Sequence, residues 1–187
     1  MKALESLYRG FRFRSRLEAR WAVFMDAMGV RFEYEREAYD LDGMYYLPDF
    51  WLPEVKAHLE IKPESPTDEE EEKMRRLVAH TKRPGYICIG PPEVPDNTSS
   101  YDEGAHVFIW NDDENGQRVG SDFGYQWCEC PHCHRCELQF DGRADRISCN
   151  CPTSAHGDKG YNCKSERLVA AYTKSKSYRF EPSAHNL

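Results

Sequence analysis

The hydrophobic pattern near the N-terminus predicts a helix that begins after Ser15 and ends at Gly29. Ser15 and Glu18 have the spacing of a capping box, in which two side chains satisfy free backbone N–H groups of the first helical turn. Large apolar residues then recur every three or four positions, as on one face of a helix: Leu17, Trp21, Phe24, Met25 and Met28. Glycine is a common helix stop because it adopts the left-handed conformation without steric cost.

An extended pattern follows this helix. Residues 31–39 alternate between apolar and polar positions, which predicts a strand with Phe32 and Tyr34 on one face. The Asp42–Gly43 pair is a strong signal for a hairpin turn. Residues 45–52 are therefore the returning strand, and Pro48 interrupts it because proline cannot donate a ladder hydrogen bond.

Residues 57–62 are predicted to form a third strand that carries polar side chains on one face. Its period of two places Leu59 and Ile61 on the apolar face. The opposite face carries His58, Glu60 and Lys62.

A second helix and a buried strand complete an α/β pattern. Thr67 and Glu70 form a second capping box, which opens a helix through about residue 82, and residues 85–89 form a short buried strand. Further along the chain the pattern predicts a strand over 106–110, a polar turn over 111–120 and a helix over 165–173. The order of helix, three strands, helix and strand predicts a mixed sheet with helices against it.

Charge does not exclude a nucleic-acid partner. The net charge is −7, but residues 63–127 carry 14 acidic against 6 basic side chains and so hold most of the acidity. Five arginines cluster around the start of the first helix: Arg9, Arg12, Arg14, Arg16 and Arg20. No stretch approaches the roughly 20 apolar residues that a membrane helix needs, and the N-terminus has no apolar signal core, so we expect neither membrane insertion nor secretion.

Carboxylates and one lysine recur at a spacing that favours hydrolytic chemistry. Asp49 lies where a strand bends at Pro48, and Glu60 shares a strand face with Lys62. If that face also carries Asp49, two carboxylates and an ammonium converge. Two carboxylates bind a hard divalent cation such as Mg²⁺ or Mn²⁺, which activates water and polarises a phosphoryl oxygen. The lysine can hold the attacking water or offset transition-state charge.

These residues resemble the PD-(D/E)XK nuclease superfamily. The Pro48–Asp49 pair, the Glu60 to Lys62 triplet and the order of elements match that group, and residues 15–22 and 46–53 are similar to small nuclease-like proteins of phages and actinobacteria. The resemblance implies a restriction-endonuclease-like αβββαβ core with a mixed sheet. It implies a Mg²⁺-dependent DNA endonuclease that leaves a 5′-phosphate, in the cytoplasm of a bacterial or phage-infected cell. It also implies that Glu18 reaches the metal.

Two residues near this site have a second interpretation. Glu18 is fully explained by its capping box without any metal. His58 shares the Glu60 face, but a surface or structural histidine is the simpler interpretation.

The C-terminal part of the chain has the pattern of a small zinc ribbon. Seven of the eight cysteines lie between Cys128 and Cys163, and in a chain that is not secreted this favours metal over disulfides. The predicted ligands of a structural Zn²⁺ are Cys130, Cys133, Cys149 and Cys151. A hairpin of 137–140 and 146–148 would join the two pairs. A second zinc stays open, with these spare candidates: Cys128, Cys136, Cys163, His132, His134 and His156.

The sequence therefore predicts two parts, a nuclease-like core over residues 1–125 and a zinc-ribbon module with a basic, aromatic tail over 126–187. Arg12, Arg14 and Arg16 are the predicted phosphate contacts, because they precede a helix whose end should lie near the metal. The alternative is a catalytically silent protein that binds nucleic acid or recruits a partner. A nuclease subunit that is active only with a protein partner is a further alternative.

Overall fold

The computed structural model describes residues 5–95, 105–113, 116–140, 142–152 and 159–182. Its helices are α1 (Arg16–Met28), α2 (Asp68–Thr81) and α3 (Glu166–Ser177). Its strands are β1 (Ser6–Tyr8), β2 (Phe11–Phe13), β3 (Glu33–Tyr34), β4 (Tyr39–Leu41), β5 (Met44–Tyr46), β6 (Phe50–Leu52), β7 (Ala57–Lys62), β8 (Gly85–Ile89), β9 (Ala105–Asp113), β10 (Gly116–Glu129), β11 (Cys136–Phe140) and β12 (Glu181–Pro182). None of the helices in these ranges has both the length and the apolar character to cross a bilayer.

Seven strands form one mixed sheet in the order β11-β10-β9-β8-β7-β6-β3. The β7–β8 pair is parallel, and the other neighbouring pairs are antiparallel. A smaller sheet has the order β12-β1-β2, and β4 and β5 form a separate hairpin. The α/β class with a mixed sheet is confirmed.

Helices cover both faces of the large sheet. On one face α1 and α3 pack in a buried cluster that includes Leu59, Ile61 and Cys88. On the other face α2 and the β4–β5 hairpin pack in a second cluster around Ile87 and Phe108. Glu60 pairs with Ile87 in the β7–β8 ladder, so its side chain belongs to the α2 face of the sheet.

Several predicted elements form with their predicted ends. Ser15 caps α1 by accepting from the Glu18 N–H, and Gly29 ends that helix with φ 69°. Thr67 and Glu70 form the reciprocal capping box of α2. The strands over 57–62 and 85–89 are β7 and β8, and the C-terminal helix runs four residues further than predicted, to Ser177.

The strand predictions over 31–52 are too long. The structure has four short strands there, because the chain leaves the large sheet after β3 and returns to it at β6. Asp42 and Gly43 form the predicted hairpin turn, with φ 59° and 85°, but this hairpin joins β4 to β5 as a two-stranded sheet separate from the large one.

Two predictions in the second half are wrong. The polar turn over 111–120 is instead strand at 111–113 and 116–120, because β9 and β10 pair there as a long antiparallel ribbon. Residues 137–140 pair with β10 rather than with 146–148, and residues 144–146 form a short 3-10 turn. The large sheet is therefore continuous across residue 125, the predicted boundary between the two parts, which lies inside β10.

Candidate functional site

Strand register brings Asp49 and Glu60 together. In the antiparallel β6–β7 ladder Phe50 pairs with Leu59 and Trp51 with His58, so one further step places Asp49 opposite Glu60 on the same face. The Asp49 N–H lies 3.3 Å from Glu60 Oε2, to which it donates. Both residues are buried, with 3% of Asp49 and 6% of Glu60 exposed.

Each of these carboxylates is held by several donors. Asp49 Oδ2 accepts from the Ile61 N–H at 2.8 Å, and Asp49 Oδ1 accepts from the Arg14 guanidinium at 2.8 Å. Glu60 Oε2 accepts from the Tyr46 hydroxyl at 3.0 Å. Buried carboxylates need such donors, since the desolvation of an unpaired charge costs on the order of several kcal/mol.

The neighbouring acidic groups affect the protonation of Asp49. Burial raises the pKa of Asp49 well above its usual value, and the negative charges of Glu60 and then Glu18 raise it further. The Ile61 N–H and the Arg14 guanidinium act in the opposite direction without offsetting this rise. Burial and the two neighbouring carboxylates together therefore disfavour the ionised form of Asp49.

Glu18 belongs to the same cluster. It lies at the third position of α1 and is 8% exposed. Its two carboxylate oxygens accept from the Ser15 and Tyr34 hydroxyls, each at 2.6 Å. The Ser15 hydroxyl also accepts from the Glu18 N–H. The helix cap therefore accounts for the partner of one carboxylate oxygen, and Tyr34 is the partner of the other. We name Glu18, Asp49, Glu60 and Lys62 the acidic cluster.

Lys62 completes the acidic cluster on the side of α2. Its ammonium lies 3.0 Å from Glu60 Oε1 and 3.0 Å from Glu70 Oε1. Burial alone would lower the pKa of Lys62, but the two carboxylates outweigh it and raise the pKa. Hydrogen bonding to Thr67 and Lys62 lowers the pKa of Glu70 to about 2.

Tyr34, Tyr46 and Glu70 were missed by the sequence prediction. Glu70 carried a signal, because its capping box lies shortly after β7 and so close to the Lys62 end of that strand. The tyrosines carried none that distinguishes them from core aromatics, since their roles depend on the path of the chain between β3 and β6.

The three predicted phosphate contacts have different surroundings. Arg14 is within the site, where its guanidinium lies 2.8 Å from Asp49 Oδ1 and 2.5 Å from Glu35 Oε1. Arg12 is exposed and lies 3.5 Å from Glu5 Oε2. Arg16 is exposed at the first position of α1. Their contacts with phosphate stay predictions.

His58 is a buried residue of the sheet rather than a surface histidine. Its ring packs 4.8 Å from Trp51 and 5.4 Å from Tyr39 between ring centres. Burial, followed by the positive charge of Arg36, lowers the pKa of His58 to about 4. The imidazole is therefore neutral at physiological pH, and His58 packs as a structural residue of the sheet.

The four predicted zinc ligands form a second cluster at the end of β10. The sulfur atoms of this cysteine cluster all lie within 4.8 Å of one another: Cys130, Cys133, Cys149 and Cys151. Cys130 Sγ and Cys149 Sγ are 3.6 Å apart, close to the separation of about 3.8 Å in a tetrahedron with Zn–S bonds of about 2.3 Å. Lys159 Nζ lies 3.2 Å from Cys149 Sγ and adds a positive charge beside the four sulfur atoms. The cysteine cluster can therefore hold a metal ion such as zinc.

Within the described ranges, the cysteine cluster is the single group of three or more His, Cys, Asp or Glu donors gathered this tightly. The three carboxylates of the acidic cluster are more widely placed. Of the spare ligand candidates, Cys128 and Cys136 are buried, and His134 Nδ1 lies 3.0 Å from Glu129 Oε1. His156 lies outside the described residues.

A buried glutamate fixes the cysteine cluster to the core. Glu129 is 2% exposed and accepts from the Ser165 hydroxyl and, at 2.8 Å, from the Arg167 guanidinium. The same guanidinium donates to the backbone oxygens of His134 and Met28, each at 2.7 Å. Arg167 thus links the turn that holds Cys133 to the end of α1.

Comparison with known proteins assigns neither a family nor a function to the chain. No protein-family model, no curated protein and no solved structure matches the chain. What the protein does is therefore inferred from the chemistry of the acidic cluster and the cysteine cluster.

Proposed function

We propose that the protein is a Mg²⁺- or Mn²⁺-dependent endodeoxyribonuclease of the PD-(D/E)XK type. The observation that carries the proposal is the placement of Asp49 and Glu60, two buried carboxylates on one face of adjacent strands, with Lys62 3.0 Å from Glu60. With the separate β4–β5 hairpin set aside, the order α1, β3, β6, β7, α2, β8 supports a restriction-endonuclease-like core, since it follows the helix, three strands, helix and strand of that fold.

The donor set of the acidic cluster suits a hard divalent cation. Mg²⁺ is usually held by one or two carboxylates, with waters and substrate phosphates in its other positions, so Asp49 and Glu60 suffice without a tightly gathered trio. Arg14 and Lys62 already contact these carboxylates, which supports a site that accepts positive charge. A cation bound there supplies an activated water and a polarised phosphoryl oxygen.

The residues of the chain then have separable tasks. Asp49 and Glu60 hold the cation. Glu18, fixed by Ser15 and Tyr34, completes the shell from the side of α1. Lys62 keeps its proton between Glu60 and Glu70, and so it offsets the negative charge that grows on the scissile phosphate.

The cysteine cluster has a structural task in this proposal. Four thiolates fill a zinc coordination sphere and leave no open position for substrate. We infer that zinc holds the turns that carry the four cysteines together in a zinc-ribbon module at the edge of the sheet, where the small buried group of Cys128, Ala144 and Ile147 has too little apolar surface to hold them alone.

The test is cleavage of supercoiled plasmid DNA in Mg²⁺, with EDTA as the metal-free control. Asp49→Asn should reduce the cleavage rate on the order of 100-fold or more, because it removes a cation ligand without changing size. Asp42→Asn is the matched control, since it makes the same change at the exposed turn of the β4–β5 hairpin. Cleavage that is equal in the wild type and Asp49→Asn would overturn the proposal.

A second function is favoured by one specific observation. In the acidic cluster the charges already have partners: Asp49 has Arg14, and Glu60 has Lys62. Such neutralisation suits a catalytically silent protein that binds nucleic acid or recruits a partner, or a subunit that is active only in a complex. Tight DNA binding without cleavage of plasmid, linear or branched DNA supports the silent protein. Cleavage that appears only on addition of a protein partner supports the subunit.

A further inference from the structure

Arg14 bridges the acidic cluster to a residue outside it. The guanidinium donates from Nη2 to Asp49 Oδ1 at 2.8 Å, and its Nε lies 2.5 Å from Glu35 Oε1. The side chain of Arg14 is 55% exposed, whereas that of Asp49 is 4% exposed. Arg14 therefore reaches from solvent into the buried end of the cluster and contacts the carboxylate that a cation would need.

The backbone around Arg14 fixes where its side chain starts. Arg14 follows β2 and precedes the cap of α1, and its N–H donates to the Tyr34 hydroxyl at 3.0 Å. That hydroxyl donates in turn to Glu18. The main chain of Arg14 is thus anchored to the acidic cluster, while its long, half-exposed side chain has room to turn towards solvent.

Glu35 offers a second position for the same guanidinium. The Glu35 N–H donates to the Asp49 carbonyl at 2.9 Å, so the two acidic residues are held next to each other by the backbone. A guanidinium that leaves Asp49 can keep its Nε on Glu35. The fork shape of the guanidinium makes this possible, because Nη2 donates to Asp49 while Nε lies beside Glu35 in an ion pair.

Lys62 is not in an equivalent position. Its ammonium lies between Glu60 and Glu70, on the side of α2, and it is 22% exposed. Among the described residues, Arg14 is the side chain whose positive charge is in direct contact with Asp49.

We propose that Arg14 is the resident counter-ion of the acidic cluster and competes with the divalent cation for Asp49. In the metal-free protein the Arg14–Asp49 ion pair occupies the position that the cation needs. Binding of the cation releases the guanidinium to Glu35 and solvent, at the entrance of the site. This inference rests on the proposed metal site, and it adds a residue that sets the affinity of that site for metal.

The test measures metal binding without DNA, by isothermal titration of Mg²⁺ into the full-length protein and, in parallel, by the electron paramagnetic resonance signal of free Mn²⁺. Arg14→Gln should tighten binding about five- to tenfold, the range expected when a competing ion pair of this exposure is removed. Arg12→Gln makes the same change of charge on the neighbouring exposed arginine and should alter binding by no more than about twofold. Asp49→Asn sets the baseline for binding elsewhere on the chain.

Arg14→Lys is the second variant, in case Arg14→Gln unfolds the protein. It keeps the charge but loses the fork that serves Asp49 and Glu35 together, so it should tighten binding by a smaller factor. Asp49-dependent binding that is unchanged or weaker in both Arg14 variants overturns the inference and leaves the metal site standing. Absence of Asp49-dependent binding in every protein overturns both. Tighter binding in Arg14→Gln without DNA cleavage by any variant supports the inference and counts against the nuclease.

Discussion

The cysteine cluster and the acidic cluster are two candidate metal sites built in opposite ways. The cysteine cluster gathers four identical soft donors within 4.8 Å, from two short segments that follow β10 and the 3-10 turn. The acidic cluster collects hard donors from α1, from the chain before β6 and from β7. The first has the spacing of a coordination sphere, whereas the second is more open and is neutralised by arginine and lysine.

The two clusters therefore differ in their relation to the fold. The cysteine cluster would stabilise the region around it, whereas the acidic cluster lies on a sheet that has its own core. The cysteine cluster packs on a small buried group of Cys128, Ala144 and Ile147, which is too small to fold alone. The acidic cluster lies on a seven-stranded sheet with a buried core on each face. Loss of metal should therefore unfold the first region and leave the second folded.

The largest effect is expected from Cys130→Ser. It removes one of four thiolates, so the protein should lose one equivalent of zinc, and the C-terminal region should lose more than about 4 kcal/mol of stability. The measurements are zinc content of the purified protein and thermal unfolding followed by circular dichroism.

Cys163→Ser is the matched control, because Cys163 lies beside the same small core but outside the tight group of four. It should keep its zinc. Equal zinc content in the wild type and Cys130→Ser would show that the cysteine cluster is not the metal site. Loss of zinc in both variants would show that Cys163 is a ligand.

The two clusters also differ in how far the sequence predicts them. Both cysteine pairs of the cluster were predicted, because a knuckle turn such as Cys130 to Cys133 is a local feature in which spacing alone brings the sulfurs together. The hairpin expected between the two pairs was wrong, because the partner of β11 is β10, a strand that begins where a turn was predicted.

The contact between Asp49 and Glu60 is predicted from the sequence only on a condition, since it depends on a strand register that the sequence does not specify. The period of two gave the face of Glu60, but the face of Asp49 follows from the β6–β7 pairing. The Arg14–Asp49 contact had no sequence signal. It joins residues 35 positions apart and depends on how the end of β2 approaches the sheet.

A smaller effect is expected from the titration of His58, and it tests whether water is excluded from this buried part of the sheet. The unfolded chain protonates His58 near pH 6.5, whereas the native protein protonates it only near pH 4. The unfolded state therefore binds more protons between these values. The contribution of His58 to stability is complete above pH 6.5 and is lost as the pH falls towards 4, by up to about 3 kcal/mol.

His58→Phe keeps an aromatic ring against Trp51 and removes the proton site. Urea unfolding at pH 7 and at pH 4.5 should show a smaller loss of stability in this variant than in the wild type. His80→Phe makes the same change at an exposed histidine of α2 and should retain the wild-type loss. An identical loss in His58→Phe and the wild type would mean that water reaches the imidazole.

The smallest of the three effects concerns the neutrality of the acidic cluster itself. Lys62→Met leaves Glu60 without its ammonium partner in a site where the side chain of Glu60 is 8% exposed, so it should cost about 2 kcal/mol in urea unfolding. Lys73→Met removes a lysine whose partner Glu69 is 74% exposed one turn away on α2, and it should cost only about 0.5 kcal/mol.

Added Mg²⁺ makes Lys62→Met a test of whether the acidic cluster, like the cysteine cluster, is a metal site. With Lys62 gone, the cation becomes the main counter-charge for Glu60, and a ligand stabilises the state that binds it. Mg²⁺ should therefore raise the melting temperature of Lys62→Met more than that of the wild type, whereas Lys73→Met should respond like the wild type. If Mg²⁺ stabilises all three proteins equally, the acidic cluster does not bind the cation near Glu60, and the cysteine cluster is then the remaining candidate metal site among the described residues.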